Sequence, residues 1–256
     1  MIIDTHVHFS LSQFDNDREQ AVERARNANV KKFIEVGFDL DCSQKSIKLA
    51  SKTQGMYASV GIHPHHAEMA QKNDILDKLK NLAKNEKVCA WGEIGLDYYR
   101  NLCPQDLQVQ GFKNQIECAY ELNLPIIVHC RDAQDDLKKI FKEYSRKFTG
   151  VIHSFSGDTL DAEFYIHLGF ILGIGCPVTY PKNAQLKKVV KDIPINKIIL
   201  ETDAPYLPPQ PYRGRRNESA YLTYVVKEIA QLKQLPLQTV EDITTQTAVK
   251  LFNIKD

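Results

Sequence analysis

The chain has 256 residues, of which 43% are apolar and 25% charged, a composition typical of a globular protein with one sizeable core. A formal net charge of +1 excludes a global basic field that attracts nucleic acid, so any such contact must be local. No run approaches the ~18 apolar residues of a membrane span. The start, MIIDTH, lacks the basic region of a signal peptide. We therefore expect a cytoplasmic protein with no membrane partner.

Eight apolar segments of strand character recur along the chain, separated by polar segments with helical periodicity. The strands are predicted at 2–9, 32–38, 56–62, 88–96, 124–130, 150–155, 170–176 and 197–203. A helix or helix-like segment is predicted after each strand, for example at 15–29, 74–85, 104–123 and 133–147, and the C-terminal helices are predicted at about 218–233 and 237–253. Eight strand–helix units in about 250 residues predict an α/β fold, a (β/α)8 TIM barrel that forms a single domain over residues 1–256. The alternative, a doubly wound open sheet, lacks its glycine-rich phosphate loop.

Metal-ligand side chains lie at the ends of five of the predicted strands. In the first strand, IIDTHVHF, His6 and His8 share one face because side chains alternate with a period of two. The carboxyl ends of barrel strands meet at one rim, so these residues are expected to form one site. Each residue alone is more often structural, but the joint pattern favours a site for divalent metals made by His6, His8, Glu93, His129, His153 and Asp203.

The number of candidate ligands favours two metal ions, because one catalytic zinc needs about three protein ligands. The natural division gives His6, His8 and Asp203 to one ion. The second ion then takes His129 and His153, and Glu93 bridges the two. Sites of this donor type accept magnesium, manganese, zinc or nickel, so the sequence leaves the metal open.

Motifs along the whole chain resemble those of the TatD-type deoxyribonucleases, a branch of the metal-dependent amidohydrolase-like barrels. The most specific are GEIGLDYYR (92–100) and LETDAPYL (200–207). The others are DTHVHF (4–9), GIHPHHA (61–67), PIIVHCRDA (125–133), HSFSG (153–157) and RGRRNE (213–218). The resemblance implies a cytoplasmic, metal-dependent hydrolase of phosphodiester bonds in DNA, often a 3′-to-5′ exonuclease, with RNA as an alternative substrate. It also implies the same six metal ligands.

Further site residues are assigned from their position and from this resemblance. His63 ends the third strand and His65 follows in the loop, and both are expected to contact substrate. The resemblance places a substrate phosphate near Arg213 and Asn217, since arginine matches phosphate with a planar fork. For each of them a structural or solvated role is the alternative. Glu201 lies one layer below the rim and is expected to orient a ligand.

Two smaller features complete the rim. Ser219 stands where the family pattern has a proline, and serine suits a helix cap. Four tyrosines are predicted near the rim, Tyr98, Tyr99, Tyr206 and Tyr212. A terminal base could stack on any of them, and the alternative is that each one is half-buried in loop packing.

The mechanism that these predictions favour uses two metals to activate a water, with Asp203 as general base and Glu93 as the bridging carboxylate. One rival reading is a metal-dependent hydrolase of a small amide, lactone or phosphoester on the same barrel. The other is a non-catalytic metal-binding scaffold, although structural metal sites are usually closed and rich in cysteine. No obligate protein partner is indicated, and a monomer is the expected state.

Overall fold

The computed structural model describes residues 1–255, in which eight parallel strands alternate with helices in a TIM barrel, as predicted. The strands are β1 (Ile2–Val7), β2 (Val30–Glu35), β3 (Met56–Val60), β4 (Val88–Asp97), β5 (Ile126–Arg131), β6 (Gly150–Ile152), β7 (Ile171–Ile174) and β8 (Ile198–Leu200). The helices are α1 (Arg18–Asn27), α2 (Leu40–Lys52), α3 (Asn73–Leu82), α4 (Gln105–Glu121), α5 (Gln134–Lys142), α6 (Thr159–Leu168), α7 (Ala184–Asp192), α8 (Leu222–Lys233) and α9 (Leu237–Phe252).

The barrel closes where β1 meets the residues that follow β8. The backbone N–H of Asp203 donates to His6 O at 2.9 Å, and the N–H of His8 donates to Ala204 O at 2.9 Å. Neighbouring strands pair in chain order, from β1 to β8. The carboxyl ends of all strands therefore lie at one rim, and closure brings Asp203 directly beside His6 and His8 at the end of β1.

Two apolar layers support this rim. A large cluster packs the outer faces of the strands against the helices. A second cluster takes at least one residue from each strand and joins them to Phe252 of α9; the strand residues are Ile3, Ile34, Tyr57, Cys89, Ala90, Ile127, Val151, Ile171 and Ile199. Each of these strand residues precedes the rim residues of its own strand, so this layer fills the barrel at its amino-terminal end. Burying each such aliphatic side chain contributes about 1.5–3 kcal/mol.

Some strands are shorter than predicted. The strands β6 and β8 end at Ile152 and Leu200, although the apolar pattern continues further. Beyond them the backbone turns, with φ of 46° at Ser154 and 57° at Asp203, and this left-handed conformation ends a strand. His153 and Asp203 therefore lie just beyond their strands. Among the described residues, no helix has the length and apolar character needed to cross a bilayer.

Candidate metal centre

His6 in β1 and His8, which directly follows it, point at one another in the buried centre of the rim. Their Nε2 atoms are 3.2 Å apart. The Nδ1 atom of His8 lies 3.1 Å from the carbonyl oxygen of Val36, which can only accept, so Nδ1 carries the proton. The Nε2 lone pair of His8 is thereby left free for a cation. Asp203 Oδ1 is 3.5 Å from His8 Nε2 and 3.9 Å from His6 Nε2, which completes a three-residue group.

Glu93 lies between two sets of histidines, with one carboxylate oxygen directed to each. Its Oε1 atom is 2.8 Å from His129 Nδ1 and 3.7 Å from His63 Nε2. Its Oε2 atom is 3.4 Å from His6 Nε2. Burial would raise the pKa of this carboxyl, but the surrounding histidines hold it well below its usual range. An ionised carboxylate in this position is suited to bridge two cations.

His153 stacks on His6, with ring centroids 3.5 Å apart. Glu201 Oε1 lies 3.0 Å from His153 Nδ1 and also accepts the backbone N–H of Ser154 at 2.5 Å. Burial would lower the pKa of His153, but the negative charge of Glu201 outweighs it and raises the pKa to about 10. Glu201 thus contacts a candidate ligand from below the rim, the position that the sequence predicts for it.

His129 uses both of its ring nitrogens, one towards Glu93 and the other towards Asp97. The distance from His129 Nε2 to Asp97 Oδ2 is 3.3 Å, and the same oxygen lies 2.9 Å from His65 Nε2. Burial alone would lower the pKa of His129, but these carboxylates raise it to about 9. Asp97 is a site residue to which the sequence analysis assigns no role. Its alternation with Glu93 along β4 was the signal, because residues four apart in a strand share a face.

Two more buried carboxylates, to which the sequence analysis assigns no role, fix the chain around His6 and His8. Glu35 ends β2 and accepts the backbone N–H groups of Phe9 at 2.7 Å and Ser10 at 2.9 Å. Asp4 accepts hydrogen bonds from Thr202 Oγ1 and Ser219 Oγ, both at 2.6 Å.

Ser219 therefore tethers β1 to the segment after β8. Serine was expected here as a helix cap, but Glu218 occupies the cap position of the short helix that begins at Ser219. Its hydroxyl is instead committed to the carboxylate of Asp4.

The ligand atoms form three overlapping groups whose members lie within 4.8 Å of one another. They are His6, His8 and Asp203; His6, Glu93 and His153; and His63, Glu93 and His129. His6 belongs to the first two groups and Glu93 to the last two. A buried set of imidazole nitrogens and carboxylate oxygens with shared members fits divalent cations. One detail differs from the sequence-based division. His153 lies with His6 and Glu93, whereas His63 is the histidine grouped with His129.

A cavity of about 720 Å³ opens above these ligands. His63, His65 and Asp203 line it, so the two predicted substrate-binding histidines face the same space as the ligands. Of the four tyrosines named from the sequence, Tyr206 lines this cavity. Tyr212 instead stacks on Tyr221, with ring centroids 4.1 Å apart.

The structure places Arg213 and Asn217 differently from the predicted substrate contacts. Arg213 is not among the cavity-lining residues, and its guanidinium lies 4.5 Å from the ring centroid of Tyr180. Asn217 is fully buried, and its amide donates to Thr202 O at 2.9 Å and to Tyr206 O at 2.7 Å. A substrate contact by Asn217 does not fit this position, because its amide is committed to holding the loop after β8.

A larger groove of about 1140 Å³ lies elsewhere, on the outer surface along α1 and α2. Its walls carry charges of both signs, including Glu19 and Glu23 on α1 and Lys45 and Lys48 on α2. It contains none of the candidate metal ligands. The smaller cavity at the rim is therefore the candidate functional site, because the candidate metal ligands lie beneath it.

Comparisons with known proteins are consistent with a metal centre at this site. The profile of the family described as TatD related DNase matches residues 3–253. An uncharacterized metal-dependent hydrolase of Bacillus subtilis is 40% identical over 255 residues, which cover 99% of this chain and 100% of that protein. A protein of a Rahnella strain named 3′-5′ ssDNA/RNA exonuclease TatD is 36% identical, with 96% of each chain covered.

The fold comparison gives the same result. The crystal structure of a TatD homologue from Escherichia coli K12 superposes with a TM-score of 0.92 at 31% identity, covering 99% of this chain and 98% of that one. The family profile and these relatives extend over nearly the whole chain, and the candidate ligands lie together at the rim. The chain therefore belongs to the TatD-related DNase family and is a metal-dependent hydrolase.

Proposed function

We propose that the protein is a two-metal nuclease that removes nucleotides from the 3′ end of single-stranded DNA. The observation that carries the proposal is the set of three overlapping ligand groups, in which Glu93 directs one oxygen to each side. Divalent ions held there would supply Lewis acidity towards water and the phosphate oxygens. The residues with their donor atoms turned towards these positions are His6, His8, His63, Glu93, His129, His153 and Asp203.

Asp203 is the residue that we assign as general base. Its side chain is 19% exposed, more than that of the other predicted ligands. Burial would raise its pKa, but the surrounding histidines lower it, so the carboxylate is ionised at neutral pH. It can accept a proton as water attacks phosphorus and the bond to the leaving sugar oxygen breaks.

The single-strand preference and the direction of cleavage rest on similarity and on the shape of the site. The Rahnella relative is named a 3′-5′ ssDNA/RNA exonuclease. The cavity of about 720 Å³ has room for a few nucleotides at a strand end, and the net charge of +1 gives no long basic track for a duplex. We extend the proposal to RNA ends as a second substrate, and to a monomer acting in the cytoplasm.

The test is a cleavage assay on metal-stripped protein with end-labelled single-stranded DNA, to which magnesium, manganese or zinc is added. Stepwise shortening from the 3′ end that depends on metal is the expected result. The Glu93→Ala variant should lose both cleavage and at least one ion by metal analysis. Absence of cleavage with every metal, in protein that binds two ions, would overturn the nuclease proposal in favour of a small-molecule hydrolase. Full metal occupancy in Glu93→Ala would contradict the bridging role.

A further inference from the structure

Two arginines, Arg100 and Arg131, stand on one wall of the cavity above the ligands. Arg100 follows β4 and Arg131 ends β5, and both side chains are exposed. They lie on the side of the site that holds Glu93 and His129, because β4 and β5 are paired and carry those two residues. The loop that contains Arg213 follows β8 and is attached on another side of the rim.

Neither guanidinium has a carboxylate partner among the described residues. The guanidinium of Arg131 lies 4.0 Å from the ring centroid of Tyr99, a contact that orients the group and leaves its charge uncompensated. Arg100 makes its described hydrogen bond through its backbone N–H, which donates to Asp97 Oδ1 at 2.8 Å. Two uncompensated charges on one cavity wall are therefore available to an anion.

None of the three arginines in the loop after β8, Arg213, Arg215 and Arg216, lines the cavity. The guanidinium of Arg216 is held by Asp17 and Glu218, with N–O distances of 2.6 to 2.8 Å, and lies over the ring of Phe14. The guanidinium of Arg213 packs on Tyr180 and does not line the cavity. Uncompensated positive charge within the cavity is thus supplied by the wall at β4 and β5.

Apolar surface accompanies this charge. Leu102 lines the same cavity and is 68% exposed, and Tyr99, which supports Arg131, is 60% exposed. Large apolar side chains beside unpaired cations are characteristic of surfaces that bind single-stranded nucleic acid. On such surfaces the bases pack against the apolar side chains, and arginine binds the phosphates. A duplex keeps its bases stacked inside and cannot use the apolar part of such a surface.

We propose that Arg100 and Arg131 bind backbone phosphates of the single strand next to the scissile bond, with Leu102 against an adjacent base. This site rests on the proposed nuclease function and extends it. Asp97 links it to the metal centre, since Oδ1 accepts the N–H of Arg100 and Oδ2 contacts His129. The carboxylate of Asp97 therefore contacts both the backbone of Arg100 and the ring of His129.

The test compares two phosphodiester substrates, a short single-stranded oligonucleotide and bis(p-nitrophenyl) phosphate, which has no flanking nucleotides. In the double variant Arg100→Ala/Arg131→Ala, KM for the oligonucleotide should rise by about tenfold or more, because two charge-assisted contacts are lost. The dependence of log affinity on log salt should become shallower by about 0.7 for each phosphate contact removed. The value of kcat/KM for the small diester should stay within about twofold.

Arg146→Ala provides the matched control, because this arginine also stacks on an exposed tyrosine, Tyr120, at 3.7 Å, and does not line the cavity. It should leave both substrates unchanged. The proposal is overturned if wild-type protein cleaves the oligonucleotide and the double variant keeps its KM and salt dependence. Equal loss on both substrates also overturns it, since that indicates damage to the metal centre. Wild-type protein that cleaves the small diester but no oligonucleotide refutes the nuclease function itself.

Discussion

The orientation of each histidine ligand depends on the partner of its second ring nitrogen. His8 is fixed by the carbonyl of Val36, His153 faces Glu201, and His129 faces Asp97. Such partners hold the ring and set which nitrogen carries the proton. A carboxylate partner also increases the basicity of the nitrogen that faces the metal. The ligands of this site are therefore oriented before any ion binds.

Removal of Asp97 should weaken the ion held near Glu93 and His129. The Asp97→Ala variant leaves His129 Nε2 without its acceptor, and loss of such a partner typically lowers metal affinity by about 10–100-fold. Titration calorimetry on metal-stripped protein measures this change. Asp135→Ala, which removes an exposed carboxylate at the start of α5, is the control. Unchanged affinity for both ions in Asp97→Ala would show that His129 does not need this partner.

Asp203→Asn tests the assignment of the general base. The amide keeps the shape and one oxygen of the carboxylate, so substrate binding should remain largely intact. The amide cannot accept the proton from water, so kcat should fall by about 10²–10⁴-fold. Single-turnover cleavage of labelled DNA, with binding measured separately, distinguishes the two effects. Turnover within a few-fold of wild type would exclude Asp203 as the base.

Metal binding should release protons, and metal affinity should rise with pH. In the ion-free protein the pKa of His129 is raised to about 9 and that of His153 to about 10, so both imidazoles are protonated at pH 7. A ligating histidine must be neutral, so binding displaces these protons. The apparent affinity should therefore increase from pH 7 upwards and level off above these pKa values. Calorimetry in buffers of different ionisation enthalpy should give a release on the order of two protons per protein; no release would contradict the raised pKa values.

At the scale of elements, the apolar pattern predicts all eight strands but not where each one ends. Strands β6 and β8 have three residues each, and the pattern that marks them continues into His153 and Asp203. Periodicity records which side chains are apolar, whereas these ends are set by left-handed backbone at Ser154 and Asp203. The grouping of the ligands also depends on the three-dimensional structure rather than on the sequence pattern. His63 and His129 meet because of barrel geometry, which spacing along the chain does not contain.

The tether between β1 and the segment after β8 should contribute to stability. Ser219→Ala removes the hydroxyl that donates to Asp4 Oδ2 at 2.6 Å, so this buried carboxylate oxygen loses one of its hydrogen-bond donors. The free energy of unfolding should fall by about 1–3 kcal/mol. Urea denaturation measures it, with the exposed Ser145→Ala as control. A change no larger than that of the control would show that Thr202 alone satisfies Asp4.

At the scale of the whole molecule, the fold was predictable because one unit recurs eight times, so an error in one strand end leaves the alternation intact. The six ligands predicted from strand ends also lie together at the rim, because the topology of a barrel brings all carboxyl ends to one side. Asp97, Glu35 and Arg100 were harder to assign. Their roles depend on which partners the closed barrel brings within reach, and that is a property of the assembled rim.

The candidate ligands come from β1, β4 and β5 and from residues that follow β1, β3, β6 and β8, so bound ions connect distant parts of the chain. An ion that binds the folded state alone stabilises it by RT ln(1 + [L]/Kd), about 2.7 kcal/mol at a hundredfold excess over Kd. Added zinc or manganese should therefore raise the Tm of the wild-type protein. In Glu93→Ala the rise should be clearly smaller, whereas the exposed Glu86→Ala should behave as wild type. An equal rise in Glu93→Ala would mean that the stabilising ion binds elsewhere, since Glu93 contributes to two of the three ligand groups.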